Sequence, residues 1–310
     1  MKREISPNRF NLAAIDIGSN AARILIKQVD RIEDADTKTQ NSELKKKAGF
    51  RMKKLQFVRI PLRLGIDVFS IGRISEEREK QLIRAMKVFR QLLVIYNVQD
   101  YRACATSAFR DAKNGKKILR HIRKNMNIDI DIITGDEEAR ILRDCNKSMM
   151  GNLLYMDVGG GSTELSLICE GTLIESRSFN IGTLRMLADT VTQARWDAMR
   201  NAVAKFCRGI DNIQIIGSGG NINKLYRLTP KAERKSDKIM VSSLAKLHET
   251  LSALTVEQRM EQFDLREDRA DVIVPAAKLF LMVAEVAKAE DIIVPTMGLA
   301  DGIINELANL

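Results

Sequence analysis

The stretch Met156-Asp157-Val158-Gly159-Gly160-Gly161-Ser162-Thr163-Glu164-Leu165-Ser166-Leu167 decides the fold. Its outer arms, NLLYMDV (152–158) and TELSLIC (163–169), are apolar and strand-like, and GGGS between them is a turn signal. Three successive glycines let the backbone take positive φ and approach a ligand closely. Their inward-turned N–H groups form a nest for an anion. If the turn centres on Gly160 and Gly161, Asp157 and Glu164 become directly opposed residues, with Cβ atoms about 4.5–5.5 Å apart. Two such carboxylates beside a phosphate nest repel each other unless a cation joins them, and magnesium or manganese suits oxygen ligands of this kind. A tight hairpin with solvated acids is the competing reading.

A second hairpin lies 141 residues earlier, where IDIGSNAARILI (15–26) matches the first at Asp and Gly and keeps apolar residues at four further positions. One hairpin near the start of each half points to a duplicated domain. The earlier copy offers Gly18, Ser19, Asn20 and Arg23 to phosphate. Arg23 stands where the later copy has Glu164, and a guanidinium there can grip phosphate in bidentate fashion. Asp16, beside an apolar strand, is a third candidate metal acid. A plain Asx-type turn competes with this reading of 15–26.

Three further segments carry chemistry. CATSAFRD (104–111) ends a strand in Thr106, Ser107 and Arg110, groups suited to an oxyanion. IITGDEEAR (132–140) ends a strand and opens a helix with two glutamates. These either complement the helix dipole or supply one base that takes a proton from water. IIGSGGNINKL (215–225) is strand, glycine loop and helix, with Gly217, Ser218 and Gly219 at the turn. It lacks the GxGxxG order, and no GxxxxGKS/T motif occurs anywhere in the chain.

Between these motifs the pattern predicts a capped helix over 75–96, a strand over 100–105, a helix over 113–125 and a strand over 128–133. Helices with a break fit 183–209, followed by a strand at 212–216, a helix at 220–228 and a strand at 291–294. Residues 30–54 read as a long polar, basic loop leading into a strand at 55–60.

Length and composition set the frame. At 310 residues two domains are the natural expectation, and 45% hydrophobic with 29% charged residues is globular composition. No apolar run approaches the roughly 18–20 residues of a membrane span, and the N-terminus lacks a signal-like run. A cytoplasmic protein is expected. Cys104, Cys145, Cys169 and Cys207 form no CxxC pair, and only His121 and His248 are present, which argues against a zinc site. The net charge of +10 favours a polyanion without naming it.

Taken in order, AIDIGSNAARILI, RLGIDVFSIGRISEE (63–77), ATSAFRDAKN (105–114), ITGDEEAR (133–140), MDVGGGSTELSL and GSGGNINKL resemble the exopolyphosphatase and guanosine pentaphosphate phosphatase family. This family lies within the actin-like ATPase superfamily. The resemblance implies an α/β chain of two ribonuclease-H-like lobes with mixed sheets, divided as 1–137 and 138–310, with the site in the cleft and the last helix returning to the first lobe. It implies that Glu138 is the catalytic base, with Arg110 acting beside it. Asp157 and Glu164, joined by Asp16, would hold Mg²⁺ or Mn²⁺. Phosphate would be bound by Gly18, Ser19, Asn20, Arg23, Thr106, Ser107, Gly159, Gly160, Gly161, Ser162, Thr163, Gly217, Ser218 and Gly219. The implied reaction removes a terminal phosphate from polyphosphate or guanosine pentaphosphate, in a homodimer of the short two-lobed form, with no membrane or specific nucleic-acid partner. Ala21, Ala22, Ala300 and the longer, more basic stretch 30–54 depart from the family pattern, and on their account a non-catalytic polyphosphate or alarmone sensor is an alternative. A small-molecule kinase of the same superfamily is the other.

Overall fold

A computed structural model of the chain describes residues 9–32, 49–144, 150–235, 237–295 and 297–308. β1 (Arg9–Ile17) turns back through residues 18–20 into β2 (Ala21–Ile32), which pairs antiparallel with β3 (Gly49–Pro61). β3 starts earlier than the sequence suggests. Arg51, Lys53 and Lys54 hide its alternation, and charge is what an edge strand carries to discourage stray pairing. Residues 33–48 of the expected loop, and Cys145, lie outside the described residues.

Then come α1 (Leu64–Ile71), α2 (Glu76–Ile95), β4 (Asp100–Ala105), α3 (Ser107–Asp111), α4 (Gly115–Met126), β5 (Asp131–Ile132) and α5 (Gly135–Asp144). α2 forms where its pattern predicts: the Ser75 hydroxyl accepts from the Arg78 amide at 3.3 Å, and Glu76, Glu77 and Glu79 complement the helix N-terminus. The strand expected at 128–133 contracts to the two residues that pair with Cys104 and Ala105.

The second half repeats the plan. β6 (Asn152–Val158), β7 (Thr163–Cys169) and β8 (Thr172–Phe179) form an antiparallel meander. α6 (Thr183–Leu187), α7 (Gln193–Phe206), β9 (Gln214–Ser218) and α8 (Gly220–Leu228) follow, then β10 (Arg234–Lys235) and β11 (Lys238–Met240). α9 (Val241–Ser252), α10 (Val256–Phe263), α11 (Glu267–Ala270), α12 (Ile273–Ala287), β12 (Asp291–Ile293) and α13 (Leu299–Leu307) complete the chain. The sheets run β3-β2-β1-β4-β5 and β8-β7-β6-β9-β12, the latter extended by β11 and β10. Corresponding neighbours are antiparallel or parallel in the same places. The duplication read from two hairpins therefore extends to two whole sheets.

Strand alternation gives each sheet two faces. Ile15, Ile17, Ile24 and Ile26 bury one face of the first sheet with Leu82, Met86 and Phe89 of α2. Met156, Leu165 and Ile215 do the same in the second with Phe280 and Val283 of α12. On the other face of the first sheet, Leu12, Ala14 and Leu25 meet Ile141 of α5 and Ile303 and Ile304 of α13. α5 also packs on β7 and β8, so it lies between the lobes. Cys104 is buried and its thiol is pushed up to about 12 by that burial, the state of an inert packing residue. Among the described residues no helix is long and apolar enough to cross a membrane.

Because Ile303 is fully buried between α13 and the first sheet, Ile303→Ala should cost about 2–5 kcal/mol. Urea unfolding reads this directly. A loss below 1 kcal/mol would mean that α13 does not contribute to that core.

Candidate active site

The β6–β7 turn closes with the Gly159 amide donating to the Ser162 carbonyl at 2.9 Å, so its centre is Gly160-Gly161. That register sets Asp157 directly opposite Glu164, and Ser218 of β9 lies beside Asp157 in the neighbouring strand. Glu138 of α5 joins them: the three carboxylates each present an oxygen within 4.8 Å of the others. Burial raises Asp157 to about 7, reinforced by Glu164 and opposed by Arg23. Burial likewise raises Glu138, with Glu164 and Asp157 adding to it and Arg110 opposing. Glu164 is raised by burial against the hydroxyls of Ser162 and Ser178 and the charge of Arg110. The buried Asp157 Oδ1 accepts no hydrogen bond. Three acids resisting ionisation around an orphaned oxygen fit a hard divalent cation, which would supply the missing positive charge. Asp16 lies outside this trio but lines the same cleft, adds its charge to those that raise Asp157 and Glu138, and is ion-paired across its hairpin with Arg23.

Two adjacent glutamates open α5, and the structure separates them. The Thr134 hydroxyl accepts from the Glu137 amide at 3.1 Å and starts the helix. Glu137 turns outward to Arg102 at 2.5 Å, where Glu306 of α13 also binds. Glu138, one helical step round, faces inward with Arg110 Nη1 3.5 Å away. Arg110 is held by the Ile133 carbonyl at 2.8 Å and lies 3.4 Å from the Ser162 hydroxyl. Glycine is required at position 135, because a Cβ there would fall 2.5 Å from Ser178 on β8. This close approach is what brings Glu138 to Glu164.

The carbonyls of the glycine turn are all engaged by α6. Gly159 accepts from the Thr183 amide at 3.0 Å, and Gly160 accepts from Leu184 at 2.8 Å. Gly161 accepts from Arg185 Nε at 2.6 Å. In a trans peptide the carbonyl and the following N–H point in opposite directions. The amides of Gly160, Gly161 and Ser162 are therefore turned away from α6. Arg185 also pairs with Asp111, the neighbour of Arg110 in the first lobe, and lies 4.0 Å from the centre of the Phe69 ring. One buried guanidinium thus ties the turn to the helix that carries Arg110.

A cleft of about 200 Å³ lies between the hairpins. It is lined by Asp16, Gly18, Ser19, Asn20, Arg23, Thr106, Ser107, Glu138, Asp157, Gly159, Gly160, Ser162, Ser218 and Gly219. Some of these polar groups already have partners: Ser19 and Ser107 share a 2.8 Å hydrogen bond, and the Asn20 amide donates to the Asp268 carbonyl at 3.0 Å. Thr163 and Gly217, both expected to bind phosphate, need correction. Each is one strand position away from the Asp157 face, and successive side chains alternate. The Thr163 hydroxyl is spent on the Ile181 carbonyl at 2.7 Å. A Cβ on Gly217 would meet Ile222 at 2.9 Å and Ile292 at 3.1 Å, so this glycine serves core packing. Ala21 and Ala22 are fully buried, so neither position would present a hydroxyl to the cleft surface, whereas Ala300 does line the cleft.

Sequence reasoning missed Asn221, Arg269 and Arg185. Asn221 donates to the Val158 carbonyl at 3.2 Å and accepts from Arg269 at 2.7 Å. Burial, together with the charges of Arg59 and Arg23, holds Arg269 down at about 9 against the pull of Asp268. Asn221 was within the quoted GSGGNINKL and was open to discovery. Arg269 and Arg185 lie in ordinary amphipathic sequence, and only tertiary contact singles them out.

A sequence model of the Ppx/GppA phosphatase family matches residues 44–310. The chain belongs to the Ppx/GppA phosphatase family. Among curated Ppx/GppA relatives, a bifunctional 3-dehydroquinate synthase/phosphatase of Fusobacterium nucleatum is 31% identical over 186 residues, 58% of this chain and 26% of that protein. A guanosine-5'-triphosphate,3'-diphosphate pyrophosphatase of Aeromonas hydrophila is 25% identical over 312 residues, 95% of this chain and 58% of that protein. The chain thus spans less than two thirds of the length of these curated relatives. A crystal structure of an exopolyphosphatase from Cytophaga hutchinsonii superimposes with a TM-score of 0.79 at 23% identity, covering 97% of this chain and 98% of that one. The two duplicated sheets are the actin-like fold of Ppx/GppA structures.

Two predictions follow from this Ppx/GppA site. With Asp157 raised from an ordinary 3.8 to about 7, the folded metal-free protein holds protons that the unfolded chain has released, so its stability falls as pH rises between those values. Glu138 and Glu164 act in the same direction. Magnesium should raise the Tm by several degrees more at pH 8 than at pH 5, and Asp157→Asn should remove most of that difference; an equal gain at both pH values would contradict the cation site. Arg185→Gln frees the Gly161 carbonyl and should lower phosphatase turnover by about 10²-fold. Asp111→Asn, which leaves that bond in place, should cost less, and equal losses would contradict the orienting role.

Proposed function

We propose that this chain is a phosphohydrolase that removes the terminal phosphate from inorganic polyphosphate or guanosine pentaphosphate. The observation that carries the reading is the union of three buried carboxylates with a glycine turn whose carbonyls are all tied away. The terminal phosphoryl oxygens would accept from the amides of Gly160, Gly161 and Ser162. Arg110 would balance charge building on them. Glu138, which burial drives toward its protonated form, would accept the proton from water once a bound cation favours its ionised state. Water would attack phosphorus opposite the anhydride oxygen; its proton passes to Glu138, the P–O bond breaks, and the shortened chain leaves with the bond's electron pair. Asp157 and Glu164 would hold a magnesium or manganese ion, which supplies charge neutralisation to the phosphate oxygens when bound. Arg23 and Arg269, which line the same cleft, would meet the next phosphates along.

The names of the Aeromonas and Cytophaga relatives support this substrate class. A non-catalytic sensor would have the same phosphate cradle, but it has no need for three buried acids set against one another. Purified protein with magnesium should release phosphate from polyphosphate or guanosine pentaphosphate. Glu138→Gln should reduce that release by roughly 10²–10⁴-fold while leaving substrate binding within a few-fold. Tight binding with no release by the wild type would favour a sensor. Transfer from ATP to an acceptor without hydrolysis would favour a kinase.

A further inference from the structure

The cleft is small for a long polyanion, and the chain's positive charge is not spread evenly. Residues 113–127 (KNGKKILRHIRKNMN) contain Lys113, Lys116, Lys117, Arg120, Arg123 and Lys124 and no acid at all, against a net charge of +10 for the whole chain. α4 occupies this stretch. It buries Ile118, Ile122 and Met126 in the first-lobe core, which turns the cations outward. Of these six cations only Arg123 has an ion-pair partner among the described residues, Asp129 at 3.5 Å, and both side chains are two-thirds exposed.

This arrangement weakens the helix. Like charges three and four residues apart repel, as between Lys116 and Arg120 or Arg120 and Lys124. Lys116 and Lys117 occupy the first turn, where the helix dipole favours acids and none is present. Neighbouring α2 shows the usual solution, opening with Glu76, Glu77 and Glu79. Arg123 and Lys124 in the last turn suit the helix dipole, but Lys116 and Lys117 in the first turn oppose it and crowd the outer face with further positive charge.

The chain runs from the site to this helix. Lys113 follows Arg110 by three residues, within about 10 Å of chain, and α4 then runs about 18 Å onward. We infer that α4 is an external track for the part of a polyphosphate chain that does not fit in the cleft, so that long chains bind more tightly than short ones. This rests on the phosphohydrolase reading and chooses polyphosphate over guanosine pentaphosphate as the substrate it serves. Single-stranded nucleic acid is a poorer match, since the exposed face of α4 offers no aromatic ring besides His121 on which bases could stack. A membrane surface is also a poorer match, because α4 exposes no large apolar residue that could enter it.

The test uses the full chain carrying Glu138→Gln, so that binding is measured without turnover. Long-chain polyphosphate and tripolyphosphate are titrated calorimetrically at several salt concentrations, with and without the fourfold change Lys116→Gln, Lys117→Gln, Arg120→Gln, Lys124→Gln. The fourfold change should weaken long-chain binding by about tenfold or more and flatten its salt dependence, since fewer phosphates are neutralised. Tripolyphosphate binding should be unaltered, as should its turnover in the chain with Glu138 restored, and the Tm should not fall. Unchanged long-chain affinity would overturn the inference. So would a loss confined to phosphatidylglycerol vesicles or duplex RNA, naming that partner instead. α4-dependent long-chain binding in a protein that neither binds nor hydrolyses tripolyphosphate would leave the track standing and remove the cleft reading.

Discussion

Three carboxylates forced together in a buried pocket are the constraint around which the rest of the site is arranged. Asp157 and Glu164 have no choice about their proximity, because the turn at Gly160-Gly161 makes them cross-strand partners. Glu138 is added from another element, through the approach that Gly135 permits. Each acid is driven toward its protonated form by burial, with its neighbours contributing where they face it. Such a cluster destabilises the empty protein and becomes favourable when a cation or developing positive charge enters. Its persistence is a functional statement about the chain rather than a requirement of folding.

The duplicated fold places this pocket. Both sheets end their first hairpins at the same cleft, but the copies have diverged in charge. Where the second sheet sets an acid opposite an acid, the first sets Arg23 opposite Asp16. One hairpin therefore carries two acids that could hold a cation, and the other carries a guanidinium already paired with an acid. Asn20, Arg59 and Arg63 bind Asp268 and Asp271 near α11, while Arg185 reaches Asp111 and Phe69 from the other side. Beside the apolar cluster that α5 and α13 make with the first sheet, the lobes are thus joined on both flanks of the cleft by polar contacts. Contacts of that kind exchange with water more readily than packed methyl groups do, which suits a cleft that must admit substrate.

Much of this was legible from residues near one another in sequence. The opposition of Asp157 and Glu164 followed from a two-residue turn, and the α2 cap followed from Ser75 and its acids. What failed was long-range or hidden by charge. β8 was overlooked because Glu175, Ser176, Arg177 and Ser178 look like a loop until β7 is beside them. Thr163 was assigned to phosphate by its company in the motif, whereas alternation along β7 turns it to the other face. No local pattern distinguishes Glu138 from Glu137; their difference comes from Arg102 on one side and Arg110 on the other. Arg185 and Arg269 matter only through partners far away in sequence, which no single-chain pattern reveals.

In the proposed function the acid cluster and the glycine turn would form one phosphate-and-cation site. The most direct measurement is a crystal structure of the protein soaked with manganese and orthophosphate, read by anomalous scattering. A manganese peak is expected against Asp157 and Glu164, with the phosphate on the amides of Gly160, Gly161 and Ser162. Manganese bound elsewhere, or phosphate seated away from that turn while the acid cluster stays empty, would contradict it.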